Sequence, residues 1–132
     1  MKIFVALSCL LFAAEGQSGV VVTRVVAMDY PWFARHNDMQ GTVEVTATIK
    51  EGLATNMRVA PGPPPALADP AKETLAKWRF TGCSECEVKF VFTFVLRGVC
   101  NALPDRCPTE FEVDLPGKIT AKSKLQGGLG AL

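Results

Sequence analysis

The segment GTVEVTATIK, residues 41–50, alternates apolar and polar side chains along its whole length. A period of two places successive side chains on opposite faces of a β-strand, so this segment predicts a strand with one buried face and one wet face. Glu51-Gly52 then marks a tight turn, and residues 53–60 are predicted to return as the second arm of a β-hairpin. The predicted buried face is apolar throughout: Val43, Val45, Ala47 and Ile49.

A second alternating segment, residues 88–96, carries a row of large apolar side chains on one face. A Phe ring left in water forgoes about 1.5–3 kcal/mol of burial free energy. The row is therefore predicted to lie in the core of the sheet. Its members are Phe90, Phe92, Phe94 and Leu96.

One helix is predicted between the hairpin and this aromatic strand. The proline-rich residues 61–65 cannot join the interior of a sheet and are predicted to form a loop. Asp69 then stands where an N-cap is expected, and Pro70 stands at the first helical position. A single apolar stripe follows at i, i+4 and i+7: Ala71, Leu75 and Trp78.

Two weaker strands are predicted after the aromatic strand, at residues 111–115 and 119–123. Alternating strands with a single helix predict an α+β fold, in which one helix packs on an antiparallel β-sheet. We assign one domain to residues 17–126 and a flexible tail to residues 127–132. Composition fits a globular domain, because 48% of the residues are hydrophobic and only 20% are charged, which is too apolar for a disordered chain.

The first 16 residues are predicted to be a secretory signal peptide. Lys2 supplies a positive start, residues 3–14 are almost wholly apolar, and small residues precede a cleavage position before Gln17. The apolar run is well short of the ~20 residues that span a bilayer. We therefore expect export to the periplasm. An uncleaved segment that anchors the chain in the inner membrane is the alternative.

Four cysteines remain after the predicted cleavage: Cys83, Cys86, Cys100 and Cys107. An even number in an exported domain predicts two disulfides. Three pairings are possible and the sequence does not choose among them, although the simplest joins Cys83 to Cys86 and Cys100 to Cys107. A zinc site and a C-x-x-C redox centre are the alternatives.

Catalytic signatures are weak in this sequence. The one histidine, His36, lies in the polar stretch of residues 35–38, and no nucleophile elbow, zincin or P-loop motif is present. The net charge of +1 lacks the basic excess of a nucleic-acid binder. We expect a non-enzymatic protein with no cofactor, no metal and no nucleic-acid partner. A thiol oxidoreductase or a carboxylate hydrolase is a weaker alternative.

An ordered set of motifs resembles the C-terminal domain of the TonB family over roughly half the chain. The set consists of Tyr30-Pro31, the hairpin, Trp78-Arg79-Phe80 and the aromatic strand, at these spacings. The resemblance implies a protein partner. Domains of this family grip an extended peptide near the N-terminus of an outer-membrane transporter by adding it to their sheet as a strand. They transmit force from the proton gradient through an inner-membrane ExbB–ExbD complex.

The resemblance also implies where the partner binds. In strand addition, main-chain hydrogen bonds along an exposed edge supply affinity and side-chain pockets supply selectivity. The last strand shared with the family, residues 88–96, is the implied receiving edge. Core packing is the alternative role for the aromatic side chains. The partner-binding residues implied in this way are Tyr30, Pro31, Trp78, Arg79, Phe80, Val88, Phe90 and Phe92.

Three departures from the family pattern bear on this function. The chain has a short signal-like segment where the family's transducers have a full membrane anchor. It also lacks their long proline-rich spacer: at about 3.3–3.6 Å per residue, the segment from Gly16 to Tyr30 reaches only about 50 Å. Finally, residues 111–115 could pair along the receiving edge and block it. A stand-alone periplasmic structural or adaptor module is therefore the second hypothesis. Exposed strand edges also allow a homodimer.

Overall fold

The computed structural model describes residues 19–101, 107–114 and 117–127. The predicted signal peptide, Leu115 and the tail beyond Gly127 lie outside these residues. The described residues form seven strands and two helices. In chain order these are β1 (Val21–Arg24), α1 (Trp32–His36), β2 (Gly41–Lys50), β3 (Leu53–Val59), α2 (Pro65–Leu75), β4 (Arg79–Thr81), β5 (Glu85–Cys100), β6 (Glu110–Asp114) and β7 (Lys118–Gln126).

Five strands form the main sheet, in the order β3-β2-β5-β7-β6, and β1 and β4 form a separate antiparallel pair. The predicted α+β fold is confirmed. The sheet is mixed rather than wholly antiparallel, because β7 runs parallel to β5. An alternating pattern fixes which face of a strand is buried and carries no information about the direction of its neighbour. The sequence could therefore predict both strands but not their relative direction.

The hairpin predicted at residues 41–60 is β2 and β3. Its turn uses positive φ angles, 54° at Glu51 and 81° at Gly52. The register shifts between Thr46 and Thr48, opposite Asn56, which has a φ of 49°. This irregularity is a β-bulge, and it interrupts the regular backbone spacing of the edge strand β3.

The core lies between the helices and one face of the main sheet. The predicted inward face of β2 is buried, and so is that of β5 except at Leu96, which is only partly buried. Val43 and Phe90 are fully buried. The predicted helical stripe is also buried, and Leu67 extends it by one turn. Helix α2 starts at Pro65 rather than at Pro70, the predicted first helical residue, so Pro70 lies inside it. Pro65 already has the fixed φ that suits a first helical position, and Asp69 makes no side-chain cap.

The two predicted disulfides are present and have the simplest of the three pairings. Cys83 is bonded to Cys86 in the turn that leads into β5. Cys100, the last residue of β5, is bonded to Cys107 ahead of β6. The chain then runs along β6 at the far edge of the sheet and returns through β7, which fills the gap between β6 and β5.

Candidate partner-binding site

The Trp78-Arg79-Phe80 motif lies where α2 meets the small β1–β4 pair. Trp78 is fully buried, and its Nε1 donates a hydrogen bond of 3.0 Å to the carbonyl of Val26. Its ring meets the edge of Phe90, with 6.2 Å between the centroids. Arg79 points outward, and its Nη1 donates to the carbonyls of Lys77 and Trp78 at 3.1 and 2.9 Å. The motif therefore contributes two buried rings and one exposed cation.

Tyr30 joins the loop before α1 to the rest of the core. Its hydroxyl donates to the carbonyl of Met39 at 2.5 Å. Its ring packs edge-on against Phe94 at 5.4 Å, and its backbone N–H donates to Oγ1 of Thr109 at 2.9 Å. Pro31, the next residue, is half-buried and caps α1. Tyr30 thus connects elements that are far apart in sequence.

Most of the residues implied by the resemblance have buried side chains. Their placement in the core means that they shape the sheet, and a partner strand would meet the backbone at its edges instead. Arg79 is exposed and Pro31 is partly so. The partner role of all eight stays a prediction. The buried members are Tyr30, Trp78, Phe80, Val88, Phe90 and Phe92.

The edge implied to receive a partner, residues 88–96, is largely occupied by this chain's own β7. Pairing with β7 runs from Val91 to Cys100, and the N–H of Val91 donates to the carbonyl of Gly117 at 2.7 Å. The other edge of β5 pairs with β2. The edge is therefore blocked, as predicted, but the prediction named the wrong strand. Strand β7 pairs with β5, and β6 pairs with the outer side of β7.

The apolar pattern of β7 explains why it takes the inner position. Ile119 lies beside Phe92 and Ala121 beside Phe94, and all four are buried on the helix side of the sheet. The corresponding residues of β6, Phe111 and Val113, are only partly buried. The better-buried strand takes an interior position in the sheet, and the strand with three acidic residues lies at its edge.

Arg35 is a site residue that the sequence did not reveal. It is only 3% exposed, and its Nη1 donates to the carbonyl of Cys107 at 3.4 Å. Its Nη2 donates to Oε1 of Gln126 at the end of β7. Burial lowers the pKa of the guanidinium, and the charge of Asp29 opposes that shift. Arg35 thereby holds α1 against the C-terminal strands; its polar neighbours along the chain gave no sign of this.

A cleft of about 400 Å³ opens beside this arginine. Trp32 lines it, is 46% exposed and stacks on His36 at 5.0 Å. His36, which the sequence places in a polar stretch, is exposed. The other residues of the cleft are Asp29, Tyr30, Pro31, Arg35, Cys107 and Pro108.

Tyr30 is the only tyrosine of the chain, so its ionisation can be followed alone. Burial, reinforced by the charge of Asp38, raises the pKa of Tyr30 well above its ordinary value. The folded state therefore holds the phenolic proton more tightly than the unfolded state, whose pKa is about 10. The stability that this provides is fully present below about pH 10 and falls as the pH rises above it.

We expect almost no phenolate absorbance from the folded protein at about pH 11, and most of the full absorbance at the same pH in denaturant. The variant Tyr30→Phe should lose this part of the alkaline decline in stability. A folded protein that titrates near pH 10 would show that Tyr30 is accessible to water.

Comparison with known proteins gives a family match. Curated proteins give no match, and solved structures give none either. No helix within the described ranges, residues 19–101, 107–114 and 117–127, is both long and apolar enough to cross a membrane.

The family described as "Gram-negative bacterial TonB protein C-terminal" matches residues 26–96. The match starts at Val26, which accepts the Trp78 hydrogen bond, and ends within β5, so β6 and β7 lie beyond it. The family consists of non-enzymatic domains of energy transducers in transport, which generally bind outer-membrane transporters. Its proteins are periplasmic or anchored in the inner membrane. Because the match covers more than half of the 132 residues, the chain belongs to the TonB C-terminal domain family.

Proposed function

We propose that this domain binds an extended segment of a protein partner by adding it to the main sheet as a strand. Family membership and the outer edges of β3 and β6, neither of which pairs with another described strand, support this proposal. Unpaired N–H and C=O groups along such an edge are a ready template for an added strand. The partner implied by the family is the N-terminal peptide of an outer-membrane transporter, and the setting is proton-motive-force-dependent transport in the periplasm.

A second function, that of a periplasmic adaptor without energy transduction, is favoured by one observation. Strand β7 already occupies β5 from Val91 onward, which includes most of the edge that the resemblance implied. An adaptor needs neither an inner-membrane anchor nor an ExbB/ExbD-like complex. The location of the chain separates the two functions: a free periplasmic protein that begins near Gln17 is the adaptor, and an intact membrane-bound protein is the transducer. Mass spectrometry of the chain from separated cell fractions measures this directly.

Peptide capture by the full chain tests strand addition itself. We expect the immobilised protein to retain N-terminal peptides of outer-membrane transporters. The matched control carries proline at alternate positions, because proline has no N–H to donate to a sheet. Retention should be lost with the proline peptides. Equal retention of both sets, or retention of neither, would contradict strand addition.

A further inference from the structure

The main sheet offers three backbone edges to a partner, and two of them are poor templates. Pairing between β5 and β7 begins at Val91. The part of β5 that β7 does not cover is therefore only residues 85–90, next to the Cys83–Cys86 turn. Along β3, the bulge at Asn56 breaks the regular spacing of backbone groups. Bulges are a common means by which proteins block an edge strand.

Strand β6 has none of these obstructions within the described residues. Its five residues pair one-to-one with β7 without a register shift, from Glu110 opposite Lys122 to Asp114 opposite Lys118. No other described strand pairs with its outer side. Its backbone is therefore the most regular free edge that the described sheet presents.

The two faces of β6 differ sharply in chemistry. Phe111 and Val113 point to the helix side and pack only partly against the core. Glu110, Glu112 and Asp114 are exposed on the opposite face. A strand added at this edge would bury more of the two apolar side chains, provided that its own inward residues are apolar.

The charges on the open face indicate what the outward residues of that strand should be. On its inner side, β6 faces a basic neighbour, because Glu110 and Asp114 lie opposite lysines of β7, and Glu112 is 3.7 Å from Nζ of Lys122. Opposite charges on neighbouring strands stabilise a pair, and like charges destabilise it. A basic strand on the outer side would continue this alternation of charge.

We propose that β6 is the receiving edge of this domain and that it selects peptides in which apolar and basic residues alternate. This inference rests on the strand-addition function proposed above and names its location and its partner. The same charges disfavour antiparallel pairing of β6 with a second copy, since Glu110 would then lie opposite Asp114 and Glu112 opposite itself.

Binding of two synthetic peptides to the full chain tests the inference. One peptide alternates Val with Lys, and the other has Glu in place of every Lys. We expect the Lys peptide to bind more tightly at low salt, by fluorescence polarisation. The double variant Glu110→Lys with Asp114→Lys should weaken it by at least about tenfold, equivalent to about 1.4 kcal/mol, and should favour the Glu peptide instead. The control, Asp69→Lys with Glu73→Lys on exposed positions of α2, makes the same change in net charge and should leave both affinities unchanged.

Amide hydrogen exchange locates the bound peptide and separates the possible failures. Protection that appears at residues 110–114 supports the inference. Protection at residues 53–59 or 85–90 instead would leave strand addition intact and overturn the choice of β6. No new protection in any strand would overturn the inference, and the proposed function would fall with it only if the transporter peptides were not retained either. A dimer of the free chain whose residues 110–114 are already protected would assign this edge to a second copy and overturn the inference.

Discussion

Replacing Trp78 with alanine is expected to lower the free energy of unfolding by about 3–5 kcal/mol, the range for a fully buried Trp or Phe. The ring is completely enclosed and contacts both Phe80 and Phe90. Its loss leaves a cavity beside Phe80 and Phe90 and also leaves the carbonyl of Val26 without the indole donor. The loss of the buried ring and the loss of the hydrogen bond both lower the free energy of unfolding.

Urea denaturation followed by circular dichroism measures this change, and the chain supplies a matched control. Its second tryptophan, Trp32, is 46% exposed and stacks on His36. Trp32→Ala should cost less than about 1 kcal/mol, as exposed substitutions usually do. Equal losses for the two variants would show that Trp78 is not the centre of the core.

Arg35→Ala is expected to lower the free energy of unfolding by about 2–4 kcal/mol, because a buried charged donor is lost and its acceptors stay buried. The carbonyl of Cys107 and Oε1 of Gln126 would both lose this donor. These two acceptors belong to the C-terminal part of the chain, whereas Arg35 belongs to α1. The variant should therefore loosen the end of β7 before the rest of the sheet.

The neighbouring residue provides the control for this variant. His36 lies on the same short helix and is exposed, so His36→Ala should change the stability by no more than about 0.5 kcal/mol. Hydrogen exchange should show faster exchange near Gln126 in Arg35→Ala and not in His36→Ala. Unchanged exchange there would contradict a role for Arg35 in holding β7.

The strands that the sequence predicted well have an apolar residue at every second position, so that each of these residues supports the same assignment. In residues 41–50, every apolar residue confirms the register of the previous one, and β2 has these limits. The phenylalanine row was predictable for the same reason, although β5 extends beyond it to Glu85 and Cys100. Local pattern is sufficient where one face of a strand is buried along its length.

The features that the sequence missed depend on contacts between distant residues. Helix α1 is too short to show a helical period, and β4 has only three residues. Arg35 begins the polar stretch of residues 35–38, and its burial depends on Cys107 and Gln126, which lie far along the chain. The parallel direction of β7 is likewise a property of the assembled sheet.

The candidate site also combines features that a local sequence pattern predicts with features that depend on contacts between distant residues. The motif residues that carried the resemblance were found, because ring types at fixed spacings are visible in a sequence. Their burial was also open to prediction, since the phenylalanine row was placed in the core and core packing was the alternative role of the other rings. The occupation of residues 91–96 by β7 required the three-dimensional sheet. The regular edge of β6 was not predicted to be a binding surface, since its alternation of Glu and apolar residues is typical of any half-wet strand.

The position of β7 also has a consequence for how the domain folds. The last of the described strands to be made fills an interior place in the sheet, between β5 and β6. Parallel pairing of strands distant in sequence is slow to form, and until β7 docks, one long edge of the phenylalanine-bearing strand has no neighbour. Open apolar edges in a partly folded chain are sites of aggregation. The Cys100–Cys107 bond shortens the loop that leads to β6 and β7. We therefore expect it to shorten the time during which the partly folded chain can aggregate.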